Sequence, residues 1–262
     1  MKKTVLLLAA VVAAASLLHA EDIGAVRTQL QAKYGKFDKL VKDMTMVMEM
    51  TMTDGKKSTT VEATMSYKEP KFRMDTKISM GEKGGEMTTT VIYDGTDMWM
   101  IAPMMGARKL AAKDQMKYNK DRSWKWWNYL TEGGTVAGSE EVGGRDCWVI
   151  EFAQPDEKDK EAVRPPFSKL WLDKDALVQV KAEFLVEKGK KGVAVYSDIR
   201  PAIGKLEMPY KTEMFTDNKL VSTAVIKSIA YNTKISDDQF SVDKVKSQNK
   251  GMGDLFKGLG GQ

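Results

Sequence analysis

Methionine side chains at alternating positions are the first residues in this sequence that could carry chemistry. The chain has 18 methionines, and five of them occupy every second position from Met44 to Met52. Thioether sulfur is a soft ligand that selects Cu(I), so the spacing raises a copper-binding hypothesis. The same spacing arises wherever one face of a β-strand is apolar, because successive side chains point to opposite faces. No histidine or nearby cysteine completes a copper site, so we favour the strand explanation and predict no metal site.

Two roles for an apolar methionine face stay open. β-branched residues suit a fixed strand core better than methionine does. Methionine is unbranched and polarizable, and it is over-used where a surface must fit several apolar shapes. The face is therefore either ordinary core beneath an N-terminal helix or a deformable apolar wall.

The residues that most often act in catalysis are scarce. The single histidine, His19, lies in an N-terminal segment with the features of a removable signal, and Cys147 is the single cysteine. Without histidine in the mature chain, Ser-His-Asp and Cys-His nucleophiles and imidazole metal sites are excluded. The acidic pairs at 140–141 and 237–238 have turn-like surroundings, and Cys147 opens an apolar strand where it suits a small core residue. We therefore predict a protein that is not an enzyme, with no catalytic residue and no cofactor.

The first 20 residues have the pattern of an export signal. Lys2 and Lys3 precede a nearly unbroken apolar run, which ends shortly before Ala20 and is followed by acidic residues. A charged start, a short apolar run and a small residue at the cleavage position are the features of a secretory signal peptide. We expect cleavage after Ala20 and a periplasmic location. The 41 basic and 36 acidic residues make the chain mildly basic, which gives no case for nucleic acid as a partner.

Beyond the signal, the apolar periodicity predicts one helix followed by strands. Ile23 to Met44 carries apolar residues at steps of three and four, which predicts a helix with one buried face. From there the period changes to two, and about eleven strands follow, beginning near Met44, Val61, Phe72, Met87, Asp97, Cys147, Lys169, Val178, Val193, Leu206 and Leu220. Residues 103–134 interrupt this pattern and predict a helical insertion. Short turns between successive strands favour one antiparallel meander that curves into a partial barrel.

Aromatic residues are concentrated in the insertion. Trp124, Trp126, Trp127 and Tyr129 fall within six residues. Such a cluster can form a movable lid over an apolar cavity, or it can anchor the insertion against the sheet. Both interpretations place these rings against the apolar face of the strands.

Short motifs along the chain resemble the LolA-like outer-membrane lipoprotein-sorting family. The similar segments are EPKFR from Glu69, YDG from Tyr93, MW from Met98, GRDCWVIE from Gly144, LWLD from Leu170 and DQFS from Asp238. The likeness runs from about Ile23 to Val245, nearly the whole mature chain. Arg73 falls on the face that we expect to meet solvent, so we infer no functional arginine from the resemblance.

The resemblance implies a mainly β fold, a single unclosed antiparallel β-barrel of about eleven strands with an N-terminal helix and a helical lid insertion. Residues 1–20 are then the signal peptide, 21–245 a LolA-like lipid-binding half-barrel domain and 246–262 a flexible C-terminal tail. The resemblance also implies a periplasmic chaperone for lipoprotein transport. Its apolar cavity would bind acyl chains of lipoproteins or lipids and move them from an inner-membrane exporter toward an outer-membrane acceptor.

A periplasmic sensor or adaptor that uses the same fold to bind a membrane protein partner stays open as the alternative. We expect a monomer in either case. The predicted ligand-binding residues are apolar and lie on the expected inner face of the sheet or in the insertion: Met46, Met48, Met50, Met65, Phe72, Met74, Ile78, Met98, Met100, Trp126 and Trp127. We expect them to line the acyl-chain cavity.

Overall fold

The structure is a computed structural model, and it describes residues 22–55, 57–79, 86–103, 105–111, 126–153, 167–185 and 190–246. Its helices are α1 (Ile23–Tyr34), α2 (Phe37–Leu40) and α3 (Asn128–Glu132), with a 3₁₀ helix at Asp237–Phe240 and a helical stretch at 242–246. Its strands are β1 (Met44–Asp54), β2 (Lys57–Lys68), β3 (Lys71–Ser79), β4 (Glu86–Tyr93), β5 (Met98–Ala102), β6 (Gly106–Lys109), β7 (Thr135–Val142), β8 (Arg145–Glu151), β9 (Lys169–Asp173), β10 (Gln179–Leu185), β11 (Lys191–Pro201), β12 (Glu207–Thr216) and β13 (Lys219–Tyr231). The predicted signal peptide, the tail beyond residue 246 and Trp124 lie outside the described residues.

The strands form two antiparallel meanders that meet at the middle of one sheet. Strands β1 to β6 follow one another outward on one side, and β13 back to β7 do so on the other. The pairing of β1 with β13 joins them into a sheet that has thirteen strands in the described part of the chain. Its outermost strands, β6 and β7, do not pair with each other, so the sheet is an unclosed antiparallel barrel. The predicted fold class is confirmed.

The two strands beyond the eleven predicted are β6 and β7. Strand β6 is four residues long and lies in the segment predicted as a helical insertion. Strand β7 is mostly polar, and its pairing with β8 shifts register between Val136 and Gly138. Edge strands of this kind are solvated and carry a weak apolar alternation, which is why periodicity does not reveal them.

The N-terminal helix is shorter than the apolar spacing predicts. The side chain of Asp22 caps α1 by accepting a hydrogen bond from the backbone N–H of Gly24 at 3.0 Å. The helix ends at Tyr34, because Gly35 is a poor helix former and Lys36 leaves the helical conformation. The predicted apolar stripe is nevertheless buried from α1 through α2. No helix within the described ranges is long and apolar enough to span a membrane.

Apolar side chains pack on both faces of the sheet. The inner face holds the main core, where α1, α2 and residues 126–130 cover the strands. A smaller outer cluster brings Phe240 and Val245 against Ile92 and Ile101. The chain after β13 therefore crosses the outer face of the first meander.

The assignment of the outer face to solvent is wrong at Arg73. This side chain lies opposite the inner core, as the alternation predicts, but it is only 18% exposed. It donates hydrogen bonds to Asp75 at 3.0 Å and to the backbone carbonyl of Gln239 at 3.2 Å. The segment around the 3₁₀ helix covers this part of the outer face, which the strand pattern alone does not indicate.

Candidate ligand-binding site

An apolar cavity of about 210 Å³ lies between the N-terminal helices and the centre of the sheet. Tyr34 of α1 and Phe37 of α2 lie on one side of it, and strands β1, β11, β12 and β13 on the other. The lining residues are mostly apolar or aromatic: Tyr34, Phe37, Met44, Met46, Trp126, Trp127, Val178, Gln179, Tyr196, Ala202, Leu206, Glu207, Met208, Pro209, Thr212, Ile226 and Tyr231. The cavity therefore lies at the seam between the two meanders.

Stacked aromatic rings form the roof of the cavity. The ring of Trp127 stacks on that of Tyr34, with centroids 4.4 Å apart and planes 15° apart. Trp126 meets Tyr34 edge to face at 5.7 Å, and Phe37 lies 5.4 Å from Trp127. These contacts attach the insertion aromatics to α1 and α2 rather than to the strands alone.

The base of α3 is held against α1 by a buried arginine contact. The Nε–H of Arg27 donates to the carbonyl of Leu130 at 2.6 Å, and its guanidinium also donates to the carbonyl of Gly133 at 3.1 Å. Leu130 is fully buried beneath this contact. The chain that carries Trp126 and Trp127 is thus anchored immediately after the two rings.

Three of the predicted residues line the cavity, and three more pack against the same core. Met46, Trp126 and Trp127 lie on its surface. Met48, Met65 and Phe72 are half-buried and contact the main core. Sequence alternation thus identifies the first meander's contribution to this site.

The remaining five lie further out on the inner face. Met74 is next to Met65 in the pairing of β2 with β3, while Met50 and Ile78 flank Val61 on the same face. Met98 and Met100 pack in a separate cluster with Val91 and Tyr93. The structure does not bring these five into the cavity, although they continue the same face of the sheet.

The second meander supplies most of the lining that the sequence-based prediction missed. Ile226 and Tyr231 of β13, with Met208 of β12, face the cavity. An irregularity in the pairing allows Met46 to lie opposite Ile229 and Met48 opposite Ile226, so both isoleucines meet the methionine face. The apolar spacing of β13 predicts which of its side chains face the core. It does not predict that β13 pairs with β1.

A few polar groups share this apolar site. Gln179, Tyr196 and Thr212 line the cavity, and burial raises the pKa of the Tyr196 phenol to about 12. Glu207 lies 3.9 Å from the ammonium of Lys33, whose pKa is lowered by burial. The site therefore offers an apolar enclosure with hydroxyl and amide groups, an arrangement suited to ligand binding.

The potential metal ligands and the thiol of Cys147 have the surroundings of ordinary structural residues. Among the described residues, no group of three His, Cys, Asp or Glu side chains is placed to hold a metal ion. Cys147 is fully buried with Val149, Trp171 and Val180, as its predicted core role requires, and burial raises the pKa of its thiol to about 11. A thiol kept in its neutral form is a poor nucleophile.

Comparison with known proteins identifies the fold and the family. A family model described as "Uncharacterized protein" matches residues 83–247, more than half of the chain. No match was found among curated proteins. Among solved structures, a domain described as an outer membrane lipoprotein-sorting protein from Vibrio parahaemolyticus is similar, with a TM-score of 0.62 and 15% identity over 86% of this chain and 98% of that one.

Two further structures support the same fold. A DUF1329 family protein from Desulfovibrio piger has a TM-score of 0.61 and 18% identity, covering 84% of this chain and 97% of its own. A LolA superfamily protein from Nitrosomonas europaea has a TM-score of 0.56 and 16% identity, covering 81% and 97%. The chain belongs to the matched family of uncharacterized proteins, and its fold is LolA-like.

Proposed function

We propose that this protein is a periplasmic carrier that binds the acyl chains of lipoproteins or lipids. It receives them from an inner-membrane exporter and delivers them toward an outer-membrane acceptor. The observation that carries the proposal is the cavity at the seam, roofed by Tyr34 and Trp127 and continuous with the methionine face of β1. The Vibrio structure, described as a lipoprotein-sorting protein, supports the proposal by analogy of fold.

The size of the cavity indicates how a ligand occupies it. An apolar cavity of about 150 Å³ holds a molecule of the size of benzene. The observed 210 Å³ therefore holds a segment of an acyl chain rather than its full length. The rest of the chain lies along the half-buried inner face, which Met48 and Met50 extend away from the helices.

Energetics favour such an enclosure for a molecule that must cross water. Each CH₂ group removed from water contributes about 0.8 kcal/mol. Methionine side chains close over an empty space and separate when a chain enters, because their torsions are soft and their sulfur is polarizable. An adaptable face suits cargo whose chains differ in length and branching.

The domain boundaries and location belong to the same proposal. A mature chain starting at Glu21 would place the carrier domain at 21–245, followed by a tail at 246–262. We infer secretion from the charged and apolar pattern of residues 1–20. The proposed binding set is Met46, Trp126 and Trp127 at the cavity, Met48, Met65 and Phe72 beside it, and Met50, Met74, Ile78, Met98 and Met100 along the outer part of the inner face.

A matched pair of charge substitutions tests the carrier function. Met50→Asp places a carboxylate on the inner face, and Thr51→Asp places the same charge at the next position on the opposite face of β1. An unpaired charge beside an acyl chain is costly, so Met50→Asp weakens binding of a fluorescent fatty acyl probe by at least about tenfold. Thr51→Asp keeps wild-type binding, and circular dichroism verifies that both variants fold.

A native mass spectrum of protein purified without detergent provides the second test. A carrier retains co-purified lipid, whereas the alternative sensor or adaptor does not require it. Wild-type binding of the probe by folded Met50→Asp, together with lipid-free protein, would contradict the carrier function. Met48→Asp gives an independent variant on the same face if Met50→Asp does not fold.

A further inference from the structure

Three polar side chains form a row across neighbouring strands on the wall of the cavity. Gln179 lies on β10, Tyr196 on β11 and Thr212 on β12, and all three line the cavity. Gln179 pairs with Leu172, a residue of the inner core, so the two side chains share the inner face. Tyr196 and Thr212 are direct partners in the pairing of β11 with β12. We call these three residues the polar row.

Among the described residues, the polar row has no hydrogen-bonding partner. Gln179 is only 7% exposed, and its side-chain amide makes no hydrogen bond to the part of the chain that the structure describes. Within the same residues, the hydroxyl groups of Tyr196 and Thr212, which are both half-buried residues, also lack a partner. Across the described ranges, the one fully buried side-chain polar atom without a partner is Nε1 of Trp99, so the polar atoms of the row are accessible from the cavity. A molecule that enters the cavity can therefore form hydrogen bonds with them.

The charges around the cavity restrict the chemistry of that molecule. Glu207 is the one charged side chain among the described lining residues. Lys33, the cation that pairs with Glu207 at 3.9 Å, donates a hydrogen bond to the carbonyl of Ala176. An anionic head group would meet a carboxylate at the rim and no free cation in the described lining. A neutral group with a carbonyl acceptor matches the N–H and O–H donors of the polar row.

We propose that the polar row binds the neutral ester or amide linkage of an acylated ligand. This inference rests on the proposed carrier function and names the cargo class: acyl chains joined through an ester or amide, in preference to free fatty acids. The amide of Gln179 and the hydroxyl of Tyr196 donate to the linkage carbonyl. The first carbons of the chain then occupy the apolar cavity beneath Trp127.

Two probes with the same chain test the inference. N-methyldecanamide carries a neutral amide, and decanoate at pH about 8 carries a carboxylate well above its ordinary pKa. Isothermal titration calorimetry on the mature protein measures the dissociation constant of each. We expect the amide to bind at least about tenfold more tightly, because the carboxylate must be buried without a counter-charge.

Variants of the polar row identify the groups responsible. Gln179→Leu keeps the side-chain volume and removes the amide, and Tyr196→Phe removes a single hydroxyl. Each weakens binding of N-methyldecanamide about fivefold to tenfold and leaves decanoate almost unchanged. Gln31→Leu, the same substitution at an exposed position of α1, serves as the control and keeps both affinities.

The outcomes separate this inference from the carrier function. Equal binding of both probes, tighter binding of decanoate, or unchanged amide affinity in both variants overturns the inference and leaves an acyl-chain carrier in place. Failure of wild-type protein to bind either probe or any longer acyl chain overturns the carrier function and the inference with it. Tyr196→Phe is a decisive second variant should Gln179→Leu fail to fold.

Discussion

The inner faces of the two meanders are built from different residues. In the first meander, Met48, Met65 and Met74 are only partly buried. In the second, Ile150, Leu170 and Leu172 are completely buried. One sheet thus combines a fixed wall of branched side chains with an adaptable wall of methionines, and the cavity lies where they meet.

Aromatic packing explains why the second wall is fixed. Phe167 lies edge to face against Phe152 at 5.0 Å and against Tyr129 at 5.5 Å. These rings cover the leucines of β9, while the methionines beyond Met46 extend past the helices. The second meander therefore carries the fixed part of the core, and the first carries the more adaptable methionine face.

The strongest test of this division compares two truncations. Leu172→Ala removes buried methyl groups from the fixed wall, and we expect the free energy of unfolding to fall by about 3 kcal/mol. Met48→Ala acts on a half-buried side chain and lowers it by about 1 kcal/mol. Urea unfolding measures both, and equal losses would show that the methionine wall is ordinary core.

Alkaline pH tests two phenols of the second meander, Tyr196 and Tyr231. Burial raises the pKa values of Tyr196 and Tyr231 to about 12. The folded state therefore holds these protons more tightly than the unfolded state. Their stabilising contribution is complete below pH about 10 and is lost as pH rises toward 12.

We expect the Tyr196 phenol to lower the free energy of unfolding by about 1 kcal/mol between pH 9 and 11. Urea titrations of wild type and Tyr196→Phe isolate this contribution, since the buried Lys33 changes stability in the opposite direction and is common to both. If the free energy of unfolding falls equally with pH in the two proteins, the Tyr196 hydroxyl lies in solvent.

Stiffening the methionine wall sharpens the comparison. Met48→Ile combined with Met65→Ile makes the first wall resemble the second at similar volume, so stability changes by less than about 1.5 kcal/mol. The lost torsional freedom narrows the range of acyl chains that bind, which a series of chain lengths in a probe-displacement assay measures. An unaltered range would mean that flexibility of these side chains is irrelevant to binding.

A substitution on the outer face is expected to have the smallest effect on stability and on probe binding. Lys77 forms an exposed ion pair with Glu62 at 3.1 Å. Lys77→Gln changes the free energy of unfolding by at most about 0.5 kcal/mol, because exposed pairs are strongly solvated. It also keeps wild-type probe binding, so a marked loss of either would contradict the assignment of the two faces.

The sequence predicted local features well because alternation is a local signal. Tyr67 and Met65 lie opposite Met44 and Met46, as their shared apolar face indicates. The buried position of Cys147 followed from its apolar strand in the same way. These predictions depend only on which face of each strand is apolar, and that can be read from the strand's own residues.

What the sequence did not reveal depends on partners that are distant along the chain. Nothing in the alternation of β1 indicates that β13 is its neighbour, so Ile226 and Tyr231 were not placed at the cavity. The polar row was missed for the same reason, because Gln179 is conspicuous only once it is seen to line the cavity together with Tyr196 and Thr212. The covering of Arg73 likewise depends on the path of the chain after β13.

The pairing of β1 with β13 also constrains how the protein folds. It joins a strand near the start of the described chain to one near its end, so the seam forms only after both meanders are available. Contacts between such distant segments slow folding, because the intervening chain must be ordered before they form. Until then β1 presents an unpaired, methionine-rich edge that is prone to aggregate. The cavity therefore cannot assemble on a chain that lacks β13, and its two walls come together only when both ends of the sheet are present.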